Sequence, residues 1–191
     1  MKITPVVVTA LLTLTTACAH ETGTTDLRAQ LQGAQVTLAQ AIELAAAQTP
    51  GAQTVEAELN LRDDVPCYAI ARYGDETRAV VIELRTGAIA GNTARPELDA
   101  AAAKAAAIVR AAAISPLDAI AIAEREVGGT ALEFEAEHGN FEVEVLADKD
   151  DVIYEVVLAT DGRVLEVERE DEEDEDDEDD EDDEDDEDDD D

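Results

Sequence analysis

The chain predicts an α+β fold: two small modules, each one helix packed on a short antiparallel β-meander, joined by an Ala-rich helix and followed by a disordered acidic tail. Three observations predict it. Residues 36–91 and 114–168 repeat the same order of features. Within each, the apolar spacing switches from a helical period to a strand period. Residues 170–191 are all acidic.

Residues 1–19 read as an export signal. An early lysine precedes an apolar run in MKITPVVVTALLTL that is too short to span a bilayer, and the small residues of TTACAH follow. Two cleavage readings stand. Ala17-Cys18-Ala19 fits the small-x-small rule of ordinary signal peptidase, whereas Thr15-Thr16-Ala17-Cys18 resembles a bacterial lipobox, with Cys18 as the lipidated residue. The lipobox reading departs from its pattern in carrying Thr15 where leucine is usual, with Leu14 one place early. Either reading puts the mature protein outside the cytoplasm, in the periplasm or lipid-anchored at the cell envelope. Residues 20–35 are a linker.

The first repeat spans 36–92. Thr37 with Gln40 is spaced to cap a helix start, and Leu38, Ile42 and Ala45 recur as its buried stripe. Pro50-Gly51 closes that helix. VEAELNL, CYAIARY and TRAVVIELR then alternate as strands. Residues 93–113 form an Ala-rich helical connector with Pro96 near its start. Its apolar side chains are small and Lys104 and Arg110 interrupt it, so it lies on the modules rather than in a membrane.

The second repeat spans 114–169. Ser115 with Asp118 repeats the helix start, now with Pro116 at the first helical position, and Leu117, Ile120 and Ala121 form the stripe. Gly128-Gly129 ends the helix. ALEFEAE, NFEVEVL, DVIYEVVLA and RVLEVE read as strands, and Asp161-Gly162 turns where Thr86-Gly87 turns in the first repeat. Residues 170–191 hold 22 acids and nothing else, a block that buries no apolar surface and repels itself.

Charge narrows the partners. The formal net charge is −36, and with the tail and Lys2 set aside the body still has 27 acids against 12 bases. That balance excludes nucleic acid, whose phosphates need Lys and Arg, and favours metal cations or a basic protein. With Cys18 lipidated or removed, Cys67 has no disulfide partner and reads as a small buried hydrophobe.

Catalytic inventory is thin. Ser115 is the lone serine and already suits a cap, while His20 and His138 are the two histidines. His20-Glu21 begins an H-E-x-x-H pattern, but Thr24 fills the second histidine place. ADKDDVIYE lacks the glycine and spacing of an EF-hand loop, so Asp148, Asp150 and Asp151 read as an acidic turn. No phosphate loop is present, and the ligand set for zinc is missing. No enzyme and no required cofactor are expected.

Hard-oxygen chemistry remains. In FEAEHGNFEVEV, Gly139 at the first central position of a type II′ turn would place Glu135 opposite Glu144 and Glu137 opposite Glu142. Phe134, Ala136, Val143 and Val145 would then share the core face. Glu133, Glu135, Glu137, Glu142 and Glu144 would share the other, joined by Glu155, Glu166 and Glu168 from later strands. Opposed glutamates cost on the order of 0.2–1 kcal/mol per pair when unrelieved. Calcium or a lanthanide ion would relieve them; an acidic face held only by solvent is the alternative.

The same features resemble the PepSY domain family. The first repeat carries TLAQAIELA, PG, CYAIA and RTGAI in the family's order, and the second carries SPLDAIAIA, GG, YEVVL and TDGRVLEVE. It departs from the pattern at Arg85, before Thr86-Gly87, and in lacking that pair in the second repeat. The resemblance implies an extracytoplasmic binding or regulatory module. PepSY units occur in metallopeptidase propeptides, which implies protease inhibition of an extracellular peptidase, and tandem PepSY proteins that bind lanthanides are known. The expectation is a non-enzymatic exported tandem PepSY protein that binds a hard cation through its acidic sheet face. The alternative is a protease-inhibitory or basic-protein-binding module of the cell envelope.

Overall fold

The computed structural model describes residues 24–170. The signal segment, Cys18, His20 and the tail beyond Glu170 lie outside the described residues. Both repeats begin at the expected helix starts. Thr37 Oγ1 accepts the Gln40 N–H at 3.3 Å and Gln40 Oε1 accepts the Thr37 N–H at 3.0 Å, which opens α2 (Leu38–Gln48). Ser115 and Asp118 exchange the same two bonds at 3.2 and 3.0 Å and open α4 (Pro116–Val127). These boxes satisfy backbone donors that a helix start leaves unpaired. Gly128 ends α4 at φ 77°, a left-handed conformation that suits glycine.

Each helix is followed by four antiparallel strands. The first repeat has β1 (Gln53–Arg62), β2 (Val65–Tyr73), β3 (Thr77–Glu83) and β4 (Ile89–Ala94). The second has β5 (Gly129–Glu137), β6 (Asn140–Ala147), β7 (Ile153–Ala159) and β8 (Val164–Arg169). β4 was not among the strands expected. Its IAGNTA sequence carries little apolar alternation, and pairing to β3 rather than propensity holds it.

The two meanders join into one eight-stranded sheet, ordered β4-β3-β2-β1-β5-β6-β7-β8. The join is an antiparallel pairing of β1 with β5 over residues 56–58 and 133–135. One continuous core lies under α2 and α4. Ala57, Tyr68, Ile70, Val80 and Ile82 meet Leu38, Ile42 and Ala45, and Phe134, Phe141, Val143, Val156 and Leu158 meet Ile120 and Ala123. The Phe134 and Phe141 rings pack at 5.4 Å between centroids.

Arg72 ties the first module together. It is buried at 6% exposure and donates to Thr54 Oγ1 at 2.6 Å, Thr49 Oγ1 at 3.1 Å and Ala52 O at 2.5 Å. The α2–β1 connection is thereby fixed to β2 by charge-assisted hydrogen bonds.

Between the repeats a 3₁₀ turn (Pro96–Leu98) leads into α3 (Asp99–Ala111), the expected Ala-rich helix. Ala102 and Ala106 pack on Val55 and Ala71, and Val109 joins the main core. Small side chains let this helix approach the sheet closely. Among the described residues no single helix is long and apolar enough to cross a membrane.

The stretch read as linker contains α1 (Thr24–Leu31). Its Arg28 donates to Asp148 Oδ1 at 3.1 Å and Ala147 O at 2.8 Å and pairs with Asp151 Oδ1 at 2.5 Å. The acidic turn is therefore an anchor for α1, with Asp150 accepting from the Tyr154 hydroxyl at 3.0 Å.

Candidate functional site

Strand alternation puts every glutamate singled out from the sequence on the sheet face away from α2 and α4. The hairpin register differs from the expected one. His138 and Gly139 are the central turn residues, with φ 51° and 86°, a type I′ geometry. Glu135 therefore stands opposite Glu142, Glu133 opposite Glu144, and Glu137 opposite Asn140. The II′ expectation failed because His138 accepts a positive φ, which the hairpin's twist favours.

Two carboxylate rows result. In the first, Glu58, Glu133, Glu144, Glu155 and Glu168 follow one another across β1, β5, β6, β7 and β8. In the second, Glu56, Glu135 and Glu142 are in line, Val157 interrupts, and Glu166 ends the row. At about 4.8 Å per strand, the first row is about 19 Å wide. The rows thus spread as a ladder rather than converging on one point. The tightest described group is Glu137, His138 and Glu142 at the hairpin end, whose ligand atoms lie within 4.8 Å of one another.

Glu56 and Glu58 were missed from the sequence. Their signal was legible, because VEAEL in β1 has the same alternation as LEFEAE in β5. Only the sheet topology puts the two stretches side by side.

Burial and like charge raise the carboxyls of Glu56, Glu58, Glu133, Glu135, Glu142, Glu144 and Glu155 above the usual carboxylate range. Glu56 is 5% exposed, and burial, then the charges of Glu58 and Glu135, push it up to about 8, with Arg95 opposing. Glu135 rises to about 7 through burial and then Glu137 and Glu142. Glu142 rises to about 7 through burial and then Glu137 and Glu155, with His138 opposing. Glu133 and Glu144, opposite each other, are both raised by burial and then by neighbouring carboxylates, and Glu170 acts on both. Glu58 and Glu155 are raised as well, chiefly by burial. Such a surface either keeps protons near neutral pH or exchanges them for a cation.

Two cations of the second repeat are engaged away from the carboxylate rows. Arg163 pairs with Asp161 at 3.0 Å, and Lys149 lies 4.8 Å from the Tyr154 ring centroid and 3.9 Å from Asp150. Arg169 stands opposite Tyr154 in the sheet.

Comparing the repeats shows how unusual this face is. Val55 and Leu132 are the extra residues of matching β-bulges, after which Glu56 stands opposite Ala71 and Glu133 opposite Glu144. Carrying that register onward, Ala69 matches Glu142, Ala71 matches Glu144 and Ala79 matches Glu155. On the last strands Gly91 matches Glu166 and Thr93 matches Glu168. The first repeat carries small neutral residues at five places where the second carries glutamate. The fold itself does not require the acids.

Cys67 has none of the marks of a nucleophile. It is 3% exposed and burial pushes its thiol up. Arg62 crosses this part of the face to Ala90 O at 3.0 Å, close to Cys67.

No curated protein matches the chain. The crystal structure of a candidate lipoprotein from Clostridium difficile 630 is similar, at 20% identity and a TM-score of 0.48. The match covers 74% of this chain and 97% of that one. The family described as "Peptidase propeptide and YPEB domain" matches residues 35–92 and again residues 113–169, more than half of the chain. Those bounds coincide with the two helix-plus-meander modules, and the chain belongs to the PepSY family as a tandem of two such domains.

Proposed function

We propose that this tandem PepSY protein is a non-catalytic, exported cation binder that takes calcium or a lanthanide ion on the ladder of Glu133, Glu135, Glu137, Glu142, Glu144, Glu155, Glu166 and Glu168. One observation carries the reading: five glutamates of the second repeat replace Ala, Gly and Thr of the first at matched places on one sheet face. Aligning like charges across strands costs stability, so an all-carboxylate face calls for a ligand that removes the cost. Oxygen donors alone select a hard ion. Export rests on residues 1–19, and Cys18 supplies a lipid anchor if the lipobox is used.

Thermal unfolding tests it, with millimolar Ca²⁺ or micromolar La³⁺ at fixed ionic strength. A saturable rise in midpoint, lost when Glu135, Glu137, Glu142 and Glu144 become Gln, supports the site. A shift no larger than matched monovalent salt produces rules it out. The family's description as a peptidase propeptide favours a second reading, a module that restrains an extracellular peptidase or binds a basic protein. Inhibition of such a peptidase by the metal-free protein would single that out.

A further inference from the structure

We infer that the ion seats first at the seam between the repeats, on Glu56, Glu58, Glu133 and Glu135, and fastens the two modules together. The inference rests on the cation reading and goes beyond it in site and consequence. The pairing of β1 with β5 consists of three residue pairs, against nine for β1 with β2. Two of the three are Glu56 with Glu135 and Glu58 with Glu133. The joint between the repeats is thus short and places like charges face to face, and in a sheet directly opposed like charges are destabilising.

Glu56 points to a ligand independently of the cluster. It is 5% exposed, and among the described residues no hydrogen bond or ion pair holds its carboxylate. A carboxyl group largely buried without a partner carries much of its desolvation cost. Among the described residues Arg95 is the one cation acting on it, and Arg95 is already paired to Glu97. The remaining charged neighbours are Glu58 and Glu135. The nearest stretch of α3 offers Ala102 and Ala106, which pack beside it on Val55 and Ala71 and bring no donor.

The chemistry of the seam sets the class of ion. Four carboxylates offer up to eight oxygens, the number taken by a large hard cation, whereas magnesium demands six in a tight octahedron and keeps its water. Four carboxylates on two adjoining strands, once their protons are displaced, favour a trivalent ion over a divalent one by charge balance. Two of the four come from each repeat, so neither module presents the set alone. Filling the seam would then turn a joint weakened by repulsion into one held by shared coordination, and ion binding would release protons.

Hydrogen exchange on the full chain at pH 8, with and without micromolar La³⁺, tests this. The amides of residues 56–58 and 133–135 should slow at least tenfold with the ion. E56Q/E58Q should abolish that slowing, while E43Q/E126Q, exposed on α2 and α4, should keep it. Exchange of the core strand β2 in metal-free protein checks that each variant is folded. If E56Q/E58Q retains both the slowing and the midpoint rise, the ion sits elsewhere on the ladder and the seam inference falls while the cation reading stands. If the wild-type chain responds only as it does to matched monovalent salt, both fall.

Discussion

Arg95 and Glu170 hold the same place in the two repeats and carry opposite charge. Each follows the last strand of its meander and donates its backbone N–H to the strand before, Arg95 to Thr77 O at 2.8 Å and Glu170 to Ile153 O at 3.1 Å. The arginine opposes the upward shift of Glu56, whereas Glu170 adds to those of Glu133 and Glu144. Glu170→Arg should therefore raise the metal-free unfolding midpoint at pH 8 by about 2–4 °C. It should also weaken the response to La³⁺. An unchanged midpoint would mean that solvent already screens the Glu170 charge.

The raised carboxyls invert the usual dependence of stability on pH. A group that binds its proton more tightly folded than unfolded contributes stability that is fully present below its unfolded pKa. That contribution is lost as pH rises through the folded value. Glu135 and Glu142 at about 7 and Glu56 at about 8 set the window, from near 4.5 up to about 8. Chelated protein should unfold at a lower temperature at pH 8 than at pH 5.5, and Ca²⁺ or La³⁺ should close the gap. A midpoint that climbs steadily from pH 5.5 to 8 without metal would contradict the assignment.

Tyr68 is fully buried, and among the described residues its hydroxyl has no hydrogen-bond partner. The nearby Glu124 carboxylate and, first, burial push its ionisation far up, so it stays a neutral phenol. Removing an unsatisfied buried hydroxyl while keeping the ring is favourable. Tyr68→Phe should raise stability by about 1 kcal/mol in urea unfolding with an unchanged m-value. A loss of comparable size would show that the hydroxyl is bonded to buried water.

Arg28 carries the attachment of α1. Its ion pairs with Asp148 and Asp151 are partly exposed, its own side chain being 31% accessible, and exposed pairs contribute little each. Arg28→Ala should therefore cost only about 0.5–1 kcal/mol globally. Locally the effect should be larger, with amide exchange in residues 147–152 clearly faster while β2 is unchanged. Equal acceleration throughout would mean that α1 is part of the cooperative core.

Much of this protein was legible in its residues. Thr37–Gln40 and Ser115–Asp118 announced both helix starts, because a capping box is a local event that needs no neighbour. Alternation in ALEFEAE and NFEVEVL assigned each glutamate to its face for the same reason: strand side chains alternate whatever lies beside them. The repeat was visible because the same cap, turn and strand pattern recurs in order.

Tertiary structure alone decided which strands became neighbours. The sequence of β1 does not say that Glu56 and Glu58 will meet Glu135 and Glu133, since the rest of the first meander and two helices lie between β1 and β5. Register was equally out of reach at His138-Gly139, where a one-residue change in turn position moves each glutamate to a new partner on the same face. Arg28 reached Asp148 and Asp151 from 120 or more positions away. Local chemistry fixes which way a side chain points. Pairing between distant segments depends on how the whole core closes, and that closure determined which carboxylates stand together.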